Sequence, residues 1–115
     1  MRFRFSSRSS MARVILGLGL FAWCLLATAT ELSQQRRDEL RNLLLQDCGS
    51  CHGMTMKGGL GPALTPDALQ NKDREMLVVT ILQGRHGTPM PPWSTMLSRQ
   101  EVDWLVDQLY AGVTP

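Results

Sequence analysis

Residues 47–53 read DCGSCHG: two cysteines three apart, with a histidine directly behind the second. Three chemistries use this spacing: a redox dithiol, half of a zinc site, and covalent attachment of a haem. The flanking sequence separates them. A thioredoxin-like dithiol follows a strand and opens a helix, yet LSQQRRDELRNLLLQ (32–46), ahead of Cys48, itself reads as a helix. Ser33 is placed to cap it, and Leu40, Leu43 and Leu44 recur on one face. The motif is expected on the turn after that helix, followed by a glycine-rich loop, GMTMKGGLGPALTP (53–66). A structural zinc site takes four ligands in a closed set. Beside the two cysteines the chain offers only His52 and His86, which makes zinc the weaker reading. In an exported protein, Cys-x-x-Cys-His reads as haem attachment, with both thiols consumed as thioethers and His52 beneath the iron.

Export is written at the other end of the chain. MRFRFSSRSSMAR (1–13) holds four arginines and no acid, and the apolar run VILGLGLFAWCLLATA (14–29) closes on Ala27-Thr28-Ala29. This pattern predicts a secretory signal peptide over 1–29, cleaved after Ala29, ahead of one domain at 30–115. A retained anchor is the competing reading, but about 16 apolar residues fall short of the roughly 20 that span a bilayer. A lipidated Cys24 is disfavoured by the bulky Trp23 before it. Removing the leader takes four of the 12 basic residues, leaving eight against 10 acids, so the mature chain is slightly acidic. No basic stripe remains to argue for nucleic acid. So small a domain has little margin from burial alone, and a large cofactor is expected to supplement its core.

Iron held by His52 requires a ligand on its other face. GRHGTPMPPW (84–93) supplies Met90 in a loop stiffened by Pro89, Pro91 and Pro92, with Met96 and His86 as rivals. A thioether there favours ferrous iron and raises the potential relative to two histidines.

Taken in order, CGSCHG (48–53), GLGPAL (59–64), GTPMPPW (87–93) and a final amphipathic helix resemble the monohaem class I cytochromes c over the whole mature chain. The resemblance implies an all-α fold of three to five helices wrapped around one covalent haem, with the terminal helices packed together. It also implies that the Pro62 carbonyl receives the second ring nitrogen of His52 and that Leu64 packs on the haem. Orienting the imidazole in this way is a common supporting role around metal ligands. Within that frame TPDALQ (65–70) predicts a short turn with Pro66 at its first helical position. DREMLVVTILQG (73–84) predicts a helix from a capping Asp73 to Gly84, with Leu77, Val78, Thr80 and Ile81 as core candidates. In the last helix Ser98 and Glu101 form a capping box, Leu97 and Val102 a hydrophobic staple, and Val102, Leu105, Val106 and Leu109 one apolar stripe.

An iron with both axial positions filled by protein performs one-electron transfer, so the chain reads as an electron carrier and not an enzyme. Asp38, Glu39, Asp103 and Asp107 are expected on solvated helix faces. A haem sensor or enzyme with a labile sixth ligand is the alternative. The runs DCGSCHGMTMKGGLGPALTPDAL (47–69) and GTPMPPWSTMLSRQEVDWLVDQLY (87–110) further resemble the small NirC-type periplasmic cytochromes found with the cd-type nitrite reductase. That resemblance implies a redox partner, either the reductase itself or a protein of d-type haem maturation. Docking is expected through haem-edge loops around Gly49, Ser50, Thr88 and Pro89. Gly53, Gly58, Gly59 and Gly87 are expected to mark flexible loops at the haem rim.

Overall fold

The computed structural model describes residues 31–113, so the signal peptide expected over 1–29 and its cleavage site lie outside the described residues. Ser33 caps the first helix, α1 (Gln34–Leu43), its hydroxyl accepting from the Arg36 N–H at 3.2 Å. The helix does not stop before the cysteines. A π-helical turn, Leu44–Cys48, carries it into a short α2, Gly49–His52, so the haem-attachment motif lies on a helical continuation and not on a turn. The reason is local: no proline interrupts the run, and the Gly49 N–H reaches back to the Leu44 carbonyl in the wide i→i+5 pattern. Such π turns re-phase a helix and concentrate at functional sites. Here the turn lets Leu44 enter the core while Cys48, four residues on, lines a cavity. The helix ends at Gly53, whose φ of +86° suits glycine alone.

Thr65 and Pro66 open α3 (Pro66–Leu69), and the Asp73 carboxylate accepts from the Met76 N–H at 2.8 Å to start α4 (Arg74–Gln83). The last helix, α5 (Arg99–Ala111), begins with the expected capping box: Ser98 and Glu101 satisfy each other's backbone N–H groups. Leu97 and Val102 are both buried beside it. The core gathers Leu40 and Leu44 with Val78 of α4 and the stripe Val102, Leu105, Val106 and Leu109 of α5. α5 packs on α1, as expected, and also along α4. Among the described residues there are five α-helices, one π turn and no strand. No described helix is long and apolar enough to cross a membrane.

Ion pairs fasten the same helices at the surface. Arg36 Nε donates to Glu101 at 2.5 Å, joining α1 to α5. Arg74 holds both Asp103 (2.6 Å) and Asp107 (2.8 Å), so these two acids are paired and not simply solvated. Burial acts to raise the Glu101 pKa, but the Ser98 backbone N–H, Arg36 and the Ser98 hydroxyl together hold it below the ordinary glutamate range. A depressed carboxylate stabilises the fold above its unfolded pKa and loses that contribution as pH falls through the folded value. Glu101→Gln is therefore expected to cost about 1 kcal/mol at neutral pH, with the gap to the parent closing below roughly pH 4. Urea unfolding at pH 7 and pH 3 measures both; a gap of equal size at the two pH values would contradict this role for the charge.

Candidate haem site

Beneath α5 and between the π turn, α4 and the loop after it lies a cavity of about 660 Å³. Its walls are mostly apolar, with Leu44, Leu64, Leu77, Ile81, Trp93 and Leu105 among them. This volume falls within the roughly 300–1,000 Å³ of cofactor and ligand pockets. All six residues expected at the site line it: Cys48, Cys51, His52, Pro62, Leu64 and Met90. Of the rivals for the second axial position, His86 and Met96 are exposed and do not line the cavity. Met76 does line it, from the first turn of α4, and sequence reasoning gave it no role.

The two cysteines project from the end of a helix and not from its start. Burial pushes the Cys48 thiol up to about 11, with the neighbouring Asp47 carboxylate adding to the effect. A thiol this reluctant to ionise is the opposite of a reactive dithiol, whose thiolate is stabilised at a helix N-terminus. The ring nitrogen Nδ1 of His52 lies 2.7 Å from the Pro62 carbonyl oxygen. That oxygen can only accept, so Nδ1 carries the proton and the lone pair of Nε2 is left free for a metal.

Close backbone approaches hold the donors in place. Gly61 passes so near His52 that a Cβ there would sit 2.7 Å from the ring. The loop 53–61 folds back on the motif through Gly58 N–H to His52 O (2.8 Å) and Gly61 N–H to Cys51 O (2.8 Å). Gly53, Gly58 and Gly59 therefore belong to a hydrogen-bonded clasp and do not mark a loose rim. On the Met90 side, Gly84 adopts φ +68°, and a Cβ would meet Pro91 at 2.6 Å and the Met90 carbonyl at 2.8 Å. The same loop is tied to the end of α4 by Trp93 N–H to Ile81 O (3.2 Å) and Ser94 N–H to Leu82 O (3.1 Å). In the sequence Gly84 signals only a helix stop. Its second task, admitting the Met90 strand of the loop, comes from a non-local approach that no spacing reveals. Gly49, expected on the docking rim, is buried against Met54 and Met56. Leu60 takes its place at the cavity mouth, lining it while 75% exposed.

A thiol pair, a singly oriented imidazole and a thioether converging on one apolar cavity fit the donor chemistry of covalent haem, which defines the class as c-type cytochrome. Comparison with known proteins agrees. The family described as cytochrome C oxidase, cbb3-type, subunit III matches residues 35–108. Cytochrome c55X of Pseudomonas aeruginosa is 54% identical over 107 residues, covering 91% of this chain and 90% of the relative. Cytochrome c55X of Stutzerimonas stutzeri is 47% identical over 106 residues, covering 92% and 94%. Among solved structures, a c-type cytochrome NirC is similar with a TM-score of 0.70 at 56% identity, over 73% of this chain and 100% of that one. Dihydro-heme d1 dehydrogenase NirN, solved in complex with DHE, is similar with a TM-score of 0.56 at 36% identity, over 60% of this chain but only 15% of its own length. The chain belongs to the cytochrome c family, among small c-type cytochromes similar to cytochrome c55X and NirC. Its cofactor is a covalently bound c-type haem, and it is an electron carrier and not an enzyme.

Proposed function

We propose that Cys48 and Cys51 would hold the haem covalently, that His52 Nε2 and Met90 Sδ would ligate its iron, and that Pro62 and Leu64 would orient the imidazole and cover the ring. Cys48 and Cys51 would each give a thiol to a haem vinyl group, the S–H adding across the C=C with no net oxidation. The haem, once bound, exchanges one electron between ferric and ferrous iron. The chain's own contribution is to keep His52 in one tautomer, to exclude water with Leu64, Leu77 and Ile81, and to present a soft sulfur that favours the ferrous state. The observation that carries this reading is the 2.7 Å contact of His52 Nδ1 with Pro62 in the same cavity that Met90 lines.

The protein is proposed to be exported to the periplasm by the leader 1–29 and to donate electrons there to a cd-type nitrite reductase. Docking uses the exposed apolar rim of Leu60 and Pro89 with Ser50 and Thr88, a small interface suited to rapid release. Stopped-flow mixing of the reduced cytochrome with the reductase is expected to give fast, saturable oxidation with a shallow salt dependence. A steep salt dependence would move recognition to charges, and no oxidation at all would remove the reductase as partner. One observation favours a second reading: the likeness to part of a dihydro-heme d1 dehydrogenase supports a role as electron acceptor in d-type haem maturation. The ferric cytochrome, mixed with such a dehydrogenase and its dihydro-haem substrate, would then be reduced, two cytochromes taking one electron each for every dihydro-haem oxidised.

A further inference from the structure

Arg85 occupies an unusual position in the charge pattern of this molecule. Arg36, Arg41, Arg74 and Arg99 each pair with a carboxylate on the helix faces. Among the described residues, the side chains of Arg85 and Lys72 make no hydrogen bond or ion pair, and both residues line the cavity. Among the described residues the single acid on the cavity wall is Asp47, beside the cysteine motif. Arg85 is also the backbone anchor of the Met90 loop. Its N–H donates to the Met90 carbonyl (3.1 Å), and its own carbonyl accepts from the Thr88 N–H (3.0 Å) and the Thr88 hydroxyl (2.7 Å). The Thr88 hydroxyl lies 3.3 Å from the Met90 N–H, closing the turn.

A haem brings two carboxylates to a cleft whose walls are otherwise apolar, and a carboxylate in such surroundings demands a cationic partner. We infer that Arg85 is that partner: its guanidinium pairs with a haem propionate, and its backbone passes the restraint to the loop that carries Met90. The occupant of the cavity thus helps to close its own sixth-ligand loop, with Arg85 as a positioning residue and not an iron ligand. Gly84 makes the arrangement sterically possible, because its bare Cα lets Arg85 and Met90 approach across the turn.

The inference rests on Met90 as iron ligand, and its test separates the two. Ferric holoprotein is prepared for the parent, Arg85→Gln, Arg85→Lys, Lys72→Gln and Met90→Ala. Two quantities are read: the propionate bending band in the resonance Raman spectrum, and the rate at which added imidazole displaces the sixth ligand. Arg85→Gln is expected to shift the propionate band and to speed imidazole binding roughly tenfold or more, the factor carried by one charge-assisted hydrogen bond. Arg85→Lys restores much of both, and Lys72→Gln changes the rate little. An unchanged band and rate in Arg85→Gln would overturn the inference, as would a full effect from Lys72→Gln alone. If Met90→Ala left the sulfur-to-iron charge-transfer band intact, the ligand assignment itself would fail, a result distinct from either.

Discussion

Replacing Cys48 or Cys51 by alanine is expected to abolish or sharply reduce covalent haem retention and to leave a largely unfolded chain. The core explains why so local a change has so large an effect. Among the described residues its largest fully buried side chains are Leu40, Leu44, Leu105, Val78, Val102 and Val106. Against them stands a cavity of about 660 Å³. An apolar lining of that extent left to water would forfeit much of the burial that stabilises so small a domain. Without the cofactor the walls must collapse or the chain must unfold, so binding and folding are coupled. Circular dichroism together with a haem stain on denatured protein reads both effects. A compact, fully helical chain that lacks haem would contradict the coupling.

Met90→Ala is the second large effect. The ferric protein is expected to lose the sulfur-to-iron charge-transfer band, its reduction potential should fall by on the order of 0.1 V or more, and its ferrous form should bind carbon monoxide quickly. His86→Ala and Met96→Ala should leave the band in place, since both residues lie away from the cavity lining. Met76→Ala is the demanding control, because Met76 does line the cavity. Loss of the band in that variant instead would transfer the ligand role to α4. Rapid carbon monoxide binding by the unaltered protein would favour the sensor over the carrier.

Short-range chemistry was legible in the chain. Ser33, Asp73 and Ser98 cap the helices that their positions announce, because a cap acts over three residues and needs no tertiary partner. The stripe Val102, Leu105, Val106 and Leu109 is buried for the same reason of spacing. The contact between His52 and Pro62 was reached through family resemblance and is present at 2.7 Å. Other features depend on what meets in space. Periodicity ending at Gln46 hid the π turn, since an i→i+5 step leaves no composition signal. Met56 is buried against Gly49 at φ +59°, a conformation uncommon for a side-chain-bearing residue, and its carbonyl accepts from the distant Leu64 N–H at 2.8 Å, a contact that no spacing announces. Arg74 gathers Asp103 and Asp107 across some thirty residues, which made those acids look unpaired in the sequence. Arg85 sits between a glycine and a histidine in a turn, and only the folded loop shows which backbone groups it serves.

The most direct measurement is peptide mapping of the denatured protein by mass spectrometry after tryptic cleavage at Arg41 and Lys57. The peptide 42–57, NLLLQDCGSCHGMTMK, is expected to carry one haem with no free thiol left at Cys48 or Cys51. Recovery of the bare peptide with two alkylatable thiols, from protein whose haem is extracted by acidified acetone, would contradict covalent attachment at this motif.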